Sequence, residues 1–217
     1  MAVPLPGTRR TFAILGARPE ALRSWVPRAA AEAALLGAFM GAILATNYAL
    51  ASFPNVKLFD LLVFVAGYAL GFRRAAAIAV LSWGVYGTFN PWGPTTLPLL
   101  FVVSASEPVY ALAGGLLRRT LPPSKLRLVP GKGSLLLGAV AVATTLAYDA
   151  ATNVYTGVSW AQFAGSSEFG RWVLVALFNP GALWFSAMHV ASNVAAFSLL
   201  TPALARGAER LKGALRW

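Results

Sequence analysis

The chain has 217 residues, of which 58% are hydrophobic and 12% are charged, and its net charge is +11. A soluble domain of this size would need more polar surface, so the composition excludes a soluble class and indicates an integral membrane protein. The cations flank apolar runs and form no aromatic-interleaved patch, which excludes nucleic acid as a partner and favours anionic lipid headgroups.

The first 28 residues contain four prolines and five arginines and lack the apolar core of a signal peptide. We predict a basic cytoplasmic tail over residues 1–28, a transmembrane domain over residues 29–205 and a second basic cytoplasmic tail over residues 206–217. The first apolar run, residues 29–50, is long enough to cross about 30 Å of hydrocarbon.

This first run carries two rows of small residues that recur every four positions. Such rows let another helix approach closely. The alternative is packing within the bundle, which we expect for at least one row. The rows are Ala30, Ala34, Ala38 and Ala42, and Ala33, Gly37, Gly41 and Ala45.

Runs two and three, residues 58–72 and 75–89, have fifteen residues each and predict short helices, shielded by neighbours or extended through their flanks. A tight turn at Arg73-Arg74 is expected between them. The loops around Pro54-Asn55 and over residues 90–98 contain prolines and glycine that impose turns. Trp92 in the second loop is predicted to cap a site or, alternatively, to anchor at the membrane interface.

Run four, residues 97–117, has Glu107 midway along it, directly before Pro108. Because proline removes a backbone donor and disfavours helix at the preceding residue, we expect a kink there. A broken polar segment at membrane depth is typical of a ligand pocket. The alternative is a plain kink with Glu107 bonded to Tyr86, Tyr110 or His189.

Run five, residues 134–155, and run six, which ends near residue 200, each have a polar face. A long connection over residues 156–171 is expected between them, and Asn179-Pro180-Gly181 marks the start of a sixth span of about twenty residues. Polar faces in hydrocarbon must pair or line a cavity. The faces are Thr145, Tyr148, Asp149, Thr152, Asn153 and Thr156 on run five, and Phe185, His189, Ser192 and Asn193 on run six.

A cluster of this kind has two interpretations. Ionisable residues inside a bilayer are functional candidates by default, because their burial is costly. The alternative is an interhelical clamp, in which Asp149 or Asn153 bonds to His189 or Asn193. The lone histidine cannot supply a multi-histidine metal site, so no metal or other cofactor is predicted.

Charge gives the topology. Sixteen of the eighteen Lys and Arg residues fall on alternate sides of the six runs, and only Lys57 and Arg171 fall on the other side. By the positive-inside rule, this split predicts a six-helix bundle in the cell membrane with both termini cytoplasmic.

The six-helix pattern, with its basic turn, its Pro/Trp-bearing loop and its small-residue face, resembles the substrate-binding S components of energy-coupling factor (ECF) vitamin transporters. The segments PNVKLFDLLVFVAGYALGFRRAA, FNPWGPTTLPLLF and LWFSAMHVASNVAAFSLLTP carry the resemblance, which covers about residues 29–205. It implies a subunit, not itself an enzyme, that binds a vitamin or related molecule from outside and delivers it through a T component and two ATPase subunits.

The resemblance implies that Ala30, Ala34 and Ala38 contact the T component, although the second small-residue row fits nearly as well. Position and polarity predict the substrate contacts, a mostly apolar wall with a few polar groups. They are the polar residues Glu107, Asp149, Asn153, His189 and Asn193 and the aromatic residues Trp83, Tyr86, Trp92 and Tyr148.

Two rival functions remain open. One is an intramembrane hydrolase or transferase, with His189 as base and Ser186, Ser192 or Tyr148 as nucleophile or acid. The other is a stand-alone secondary transporter, although the internal repeats usual in such folds are not visible.

Overall fold

The computed structural model describes the backbone of residues 19–214 and the side chains from residue 28 onward. This part of the chain is an all-helical bundle without strands, as predicted. Residues 1–18 and 215–217 of the two predicted tails lie outside the described residues. The helices are α1 (Pro19–Ala49), α2 (Phe59–Leu70), α3 (Phe72–Thr88), α4 (Leu97–Ser106), α5 (Pro108–Thr120), α6 (Lys132–Phe163), α7 (Phe169–Phe178) and α8 (Pro180–Ala214), with a 3-10 turn at Pro123–Lys125.

Within residues 19–214, four helical segments are long and apolar enough to cross a membrane, which supports a membrane protein. The α2 and α7 helices are apolar but shorter, so the count of six spans stays a prediction. The four segments are Arg28–Ala49, Leu97–Thr120, Lys132–Phe163 and Pro180–Ala214.

The α2 helix is the core of the bundle. All twelve of its residues are buried, and it packs against α1, α3, α5 and α8. Apart from Asp60, the helix is apolar on every face, and such a helix belongs inside a protein. At about 1.5 Å per residue it is roughly 18 Å long, too short to span about 30 Å of hydrocarbon. For run two, the expectation of a short helix shielded by its neighbours is therefore confirmed.

Glycines allow α2 and α5 to lie in backbone contact. A Cβ on Gly67 would overlap the backbone of Ala111, and one on Gly114 would overlap the backbone of Phe64 and Tyr68. Such close approach requires residues without side chains. These two glycines therefore fix the position of α2 against α5.

The turn between α2 and α3 is at Gly71, and the expected turn at Arg73-Arg74 is wrong. Gly71 has φ +88°, a conformation that side-chain-bearing residues rarely adopt, and both arginines lie in the first turn of α3. Gly71 N–H donates to Gly67 O at 3.1 Å, which closes α2.

Run four is interrupted at Glu107, where the sequence predicted a kink. The α4 helix ends at Ser106 and α5 begins at Pro108, which lacks the donor that would continue the ladder. Glu107 itself keeps helical dihedral angles, φ −55° and ψ −37°. The break thus comes from the missing hydrogen bond and leaves the backbone of Glu107 helical.

The predicted connection over residues 156–171 is wrong for its first half. Helix α6 continues to Phe163, and only residues 164–168 separate it from the short α7 helix. Gly157, which falls within the expected connection, lies in α6, where a Cβ would overlap Val173 of α7. A glycine that permits close helix packing and a loop glycine look alike in sequence.

Helix α8 starts at Pro180 as predicted but has 35 residues instead of about twenty. It continues past Pro202 to Ala214, so most of the predicted tail 206–217 is helical. Its last turns are held by Arg206, which donates to Leu126 O at 2.6 Å, and by Lys212, which donates to Ala69 O at 2.8 Å.

Helix α1 begins at Pro19 and so includes the end of the predicted N-terminal tail. Its buried face consists of Ala31, Leu35, Phe39, Ile43 and Asn47. Both small-residue rows are exposed on the opposite side. The expectation that one row packs within the bundle is therefore wrong.

Candidate functional site

A cavity of about 760 Å³ lies between the end of α1, the loop after it, α3, α6 and the start of α8. Its volume is in the range of small-molecule sites. Six of the predicted contact residues line it, namely Trp83, Tyr86, Trp92, Tyr148, Asp149 and Asn153. Glu107, His189 and Asn193 do not line the cavity and are buried.

Two irregular loops contribute to the cavity wall, because prolines end the helices around them. In the first loop Asn55 has φ +54°, a left-handed conformation that asparagine tolerates. The Asn55 Nδ2 group donates to Phe185 O of α8 at 2.9 Å. In the second loop, Trp92 N–H donates to Asn90 Oδ1 at 2.9 Å. Trp92 remains 78% exposed, so the expected alternative of an interface anchor stays open.

His189 lies between two carboxylates. Its Nδ1 atom is 2.7 Å from Asp149 Oδ1 of α6, and its Nε2 atom is 2.6 Å from Asp60 Oδ2 of α2. The expected contact between Asp149 and His189 is therefore present. Asp60 joins it, so the histidine links three helices.

Asn193, one turn after His189 on α8, extends this cluster. Its Nδ2 group donates to Asp60 Oδ2 at 2.7 Å and to Thr145 Oγ1 at 2.8 Å. The Tyr110 hydroxyl lies 3.4 Å from the same threonine oxygen. The polar faces of runs five and six thus pair with each other, and the start of α2 lies between them.

The geometry around His189 fixes a proton count. A neutral imidazole has one N–H, whereas two short contacts to carboxylate oxygens need one hydrogen each. The bridge therefore holds either an imidazolium between two carboxylates or a neutral ring with one protonated carboxyl group. Either form has a net charge of −1.

Lys57 balances that charge. Its Nζ atom lies 3.2 Å from Asp60 Oδ1, and only 15% of its side chain is exposed. The ammonium also lies 4.5 Å from the centre of the Tyr148 ring and 5.6 Å from that of Trp83, at cation–π distance. Burial lowers the pKa of Lys57, but the facing negative charges, that of Asp60 first, outweigh this and hold the pKa above its ordinary value.

Glu107 occupies a neighbouring buried position behind the cavity wall. Its Oε2 atom accepts a hydrogen bond from Trp83 Nε1 at 3.1 Å, and its Oε1 atom has no partner among the described residues. The bond is to Trp83 and not to the expected Tyr86, Tyr110 or His189. It fixes the orientation of an indole ring that lines the cavity.

The geometry also bears on the predicted nucleophile and base. Both ring nitrogens of His189 contact carboxylates, and Ser192 Oγ donates to the His189 carbonyl at 3.0 Å. In residues 28–214, no hydrogen bond joins a hydroxyl group to the imidazole ring of His189. In the same range, no group of three or more His, Asp and Glu residues is placed to hold a metal ion.

Sequence reasoning missed Lys57, Asp60 and Asn47 as members of this region. Lys57 carried a signal, since it is one of two cations on the wrong side of the charge split and lies three residues before Asp60. Asp60 lies near the outer end of run two, where its position alone did not mark it as part of a site. Asn47 lies on the buried face of α1. The small-residue rows, on which the predictions for this helix depended, lie on its other face.

Comparisons with protein-family models, with curated proteins and with solved structures gave no match.

Proposed function

We propose that this chain is the substrate-binding S component of an ECF-type importer in the cell membrane. In this role it captures a vitamin or related small molecule from outside and delivers it through a T component driven by two ATPase subunits. The observation that carries the proposal is the cavity of about 760 Å³, lined by aromatic rings and backed by the buried polar cluster.

The position of the cavity agrees with capture from outside. Its wall includes the loop around Pro54-Asn55 and Trp92 of the second loop, both on the side that the charge split assigns to the exterior. A site near the ends of short and broken helices is also typical of membrane proteins that bind small molecules.

The exposed face of α1 agrees with a partner helix. Ala30, Ala34 and Ala38 lie in the open, and a Cβ added to Gly37 or Gly41 of the second row would have no neighbour within 4 Å. Small side chains permit close backbone approach. A bulky residue in the row that docks would hold the partner away.

Co-purification tests this assignment. Ala34→Trp and Gly37→Trp each change one row, and Ala150→Trp makes the same kind of change at an exposed position of α6 as a control. We expect one of the first two to abolish co-purification with the T component and ATPases, and the control to retain it. Equal co-purification of all three variants would contradict docking through α1.

Topology is tested separately. The chain has no cysteine, so single cysteines at Thr95 and Ser124 can be labelled without a background. In sealed vesicles we expect Thr95→Cys to react from outside and Ser124→Cys only after the membrane is opened. Labelling of both from one side would defeat the six-span arrangement and the outside cavity.

A stand-alone, proton-coupled transporter is the second candidate. The buried chain from Lys57 through Asp60 and His189 to Asp149 favours it, because such groups mark proton relays in membranes. The protein alone in liposomes would then accumulate substrate when a pH gradient is imposed. As an S component, it would accumulate substrate only with the T component, the ATPases and ATP.

A further inference from the structure

Two buried hydrogen-bond acceptors of the cavity wall have no partner among the described residues. They are Asn47 Oδ1 on α1 and Asp149 Oδ2 on α6, in residues that are 4% and 8% exposed. Nearly all buried polar groups in proteins are hydrogen-bonded, so each exception calls for a specific explanation. Both residues line the same cavity, so rotation of either side chain would bring its oxygen to a ligand bound there.

The unpartnered buried atoms are of one kind. In the described part of the chain, all are oxygens and none is a nitrogen. Several polar groups of the cavity wall donate within the protein, to backbone or carboxylate oxygens. These are Asn55, Trp83, Thr152, Thr156 and Asn179. The buried wall therefore offers two unused acceptors, Asn47 Oδ1 and Asp149 Oδ2, which N–H groups of a ligand would satisfy.

Charge narrows the ligand further. Lys57 and Asp149 both line the cavity. Lys57 pairs with Asp60, and Asp149 pairs with His189. An added cation would be repelled by the ammonium, and an added anion by the unpaired Asp149 oxygen. A neutral molecule avoids both penalties.

Aromatic rings also line the cavity. Trp83 and Tyr86 meet edge to face with ring centres 6.0 Å apart, and Trp92 of the second loop also lines the cavity. Aromatic faces bind planar rings by offset stacking or edge contact.

From these observations we infer that the ligand is a neutral, planar nitrogen heterocycle that donates N–H groups to Asn47 and Asp149. Asn47 is then a specificity-determining residue supplied by α1, the helix whose other face carries the small-residue rows. This inference rests on the proposed function, because it takes the cavity to be the binding site of that subunit.

Paired ring compounds test the donor requirement. The probes are lumazine, xanthine and uracil, each against its N-methylated form, with benzoate and benzylamine as charged controls. Quenching of tryptophan fluorescence in the purified full chain reports binding. We expect at least one unmethylated ring to bind and its dissociation constant to rise at least tenfold on methylation. Equal binding of both forms, tighter binding of a charged control, or binding of no ring would overturn the inference.

Variants then place the contacts. Asn47→Leu removes the acceptor, and Asn47→Asp keeps it in the same shape. Thr156→Val changes a lining hydroxyl that already donates to Thr152 O and is the matched control. For the ring that binds, we expect about tenfold weaker binding in Asn47→Leu and Asp149→Asn and little change in Asn47→Asp and Thr156→Val. Unaltered affinity in Asn47→Leu, with a normal melting curve, would remove α1 from the site.

The experiments distinguish a wrong ligand class from a wrong assignment as a transporter subunit. Co-purification with the T component depends on α1 and not on the ring. If that assay succeeds while every ring fails, the binding subunit stands and the ligand class falls.

Discussion

The two ends of α2 differ in whether the buried hydrogen-bond acceptors around them have partners. At its C-terminal end, cations satisfy the last carbonyls, since Arg118 donates to Tyr68 O at 3.0 Å and Lys212 donates to Ala69 O at 2.8 Å. At its N-terminal end, Asp60 Oδ2 accepts from Asn193 and contacts the His189 ring, and Asp60 Oδ1 faces the Lys57 ammonium at 3.2 Å. The cavity beside it has two acceptors without partners, Asn47 Oδ1 and Asp149 Oδ2. We call these the basic end and the cavity end.

Pairing of charges with the helix ends is explained by the stability of α2, whereas the unpartnered oxygens at the cavity end are not. Helix ends leave backbone groups unsatisfied, and cations near a C-terminus and carboxylates near an N-terminus stabilise the helix dipole. Both ends of α2 follow this rule, which suits a fully buried helix. The cavity end differs in that two lining oxygens, Asn47 Oδ1 and Asp149 Oδ2, have no partner among the described residues.

Between its two ends, α2 lies in backbone contact with α5 at Gly67 and Gly114. Disrupting this contact has the largest expected effect on stability. Gly114→Ala would place a Cβ in the backbone of Phe64, where no side-chain movement can relieve it. Overpacking of this kind costs about 3 kcal/mol or more when backbone must shift. We expect the variant to lose most folded protein in size-exclusion chromatography.

The neighbouring Gly115 is its control. A Cβ there would meet only Gly67 O, at an ordinary contact distance of 3.6 Å. Because alanine is the better helix former, Gly115→Ala should fold normally, with stability unchanged or raised by up to about 1 kcal/mol. Equal behaviour of the two variants would mean that α2 and α5 are not in backbone contact.

Breaking the ion pair at the cavity end comes next. Lys57→Met would leave the buried Asp60 carboxylate without its cation, and removing one partner of a buried pair costs about 3 kcal/mol. Arg171→Met is the control, because its pair with Glu168 is largely exposed and such pairs contribute little. Melting curves in detergent should separate the two variants clearly.

The pH dependence of this contribution follows from the raised pKa of Lys57. A group whose pKa is higher in the folded state stabilises fully below its unfolded value, about 10.4 for lysine, and loses that contribution as pH rises above it. The difference in melting temperature between wild type and Lys57→Met should therefore stay constant from pH 6 to pH 9. A difference that vanishes within this window would show that Lys57 is not the charged partner of Asp60.

Much of the fold follows from local rules that act within a few residues. The break at Pro108, the loop at Pro54-Asn55 and the start of α8 at Pro180 each depend on proline or on a turn residue, and all were predicted. The lengths of α6 and α8 were not, because both helices continue beyond their apolar runs. There, packing against neighbours determines where a helix ends, and hydropathy does not.

The candidate site divides in the same way. Helical spacing placed Asp149 and His189 on polar faces that meet, since such faces in hydrocarbon have few other options. The charge split placed Lys57 on the outer side of the membrane and did not predict its burial. Its ammonium pairs with Asp60, a residue that also contacts His189 and Asn193. A contact among residues from three elements depends on tertiary packing that no spacing encodes.

The smallest expected effect on stability comes from substitution at the basic end of α2. Arg118 contacts Glu209 as well as Tyr68 O, and 37% of its side chain is exposed. Arg118→Met should therefore lower stability by only about 1 kcal/mol, since partly exposed charge pairs and helix-end cations each contribute modestly. Arg119→Met, at an exposed position of the same helix, should melt like wild type.

Measuring ligand binding by the Arg118→Met and Lys57→Met variants tests whether the two ends of α2 have different roles. If the basic end serves only folding, Arg118→Met bound to a ring that wild type binds should show the wild-type dissociation constant. Lys57→Met, measured on its folded fraction, should bind that ring differently, because it changes the charge of the cavity wall. A loss of affinity in Arg118→Met equal to that in Lys57→Met would mean that α2 couples its ends, so that closure of the cavity depends on the capping of carbonyls at the opposite end of the helix.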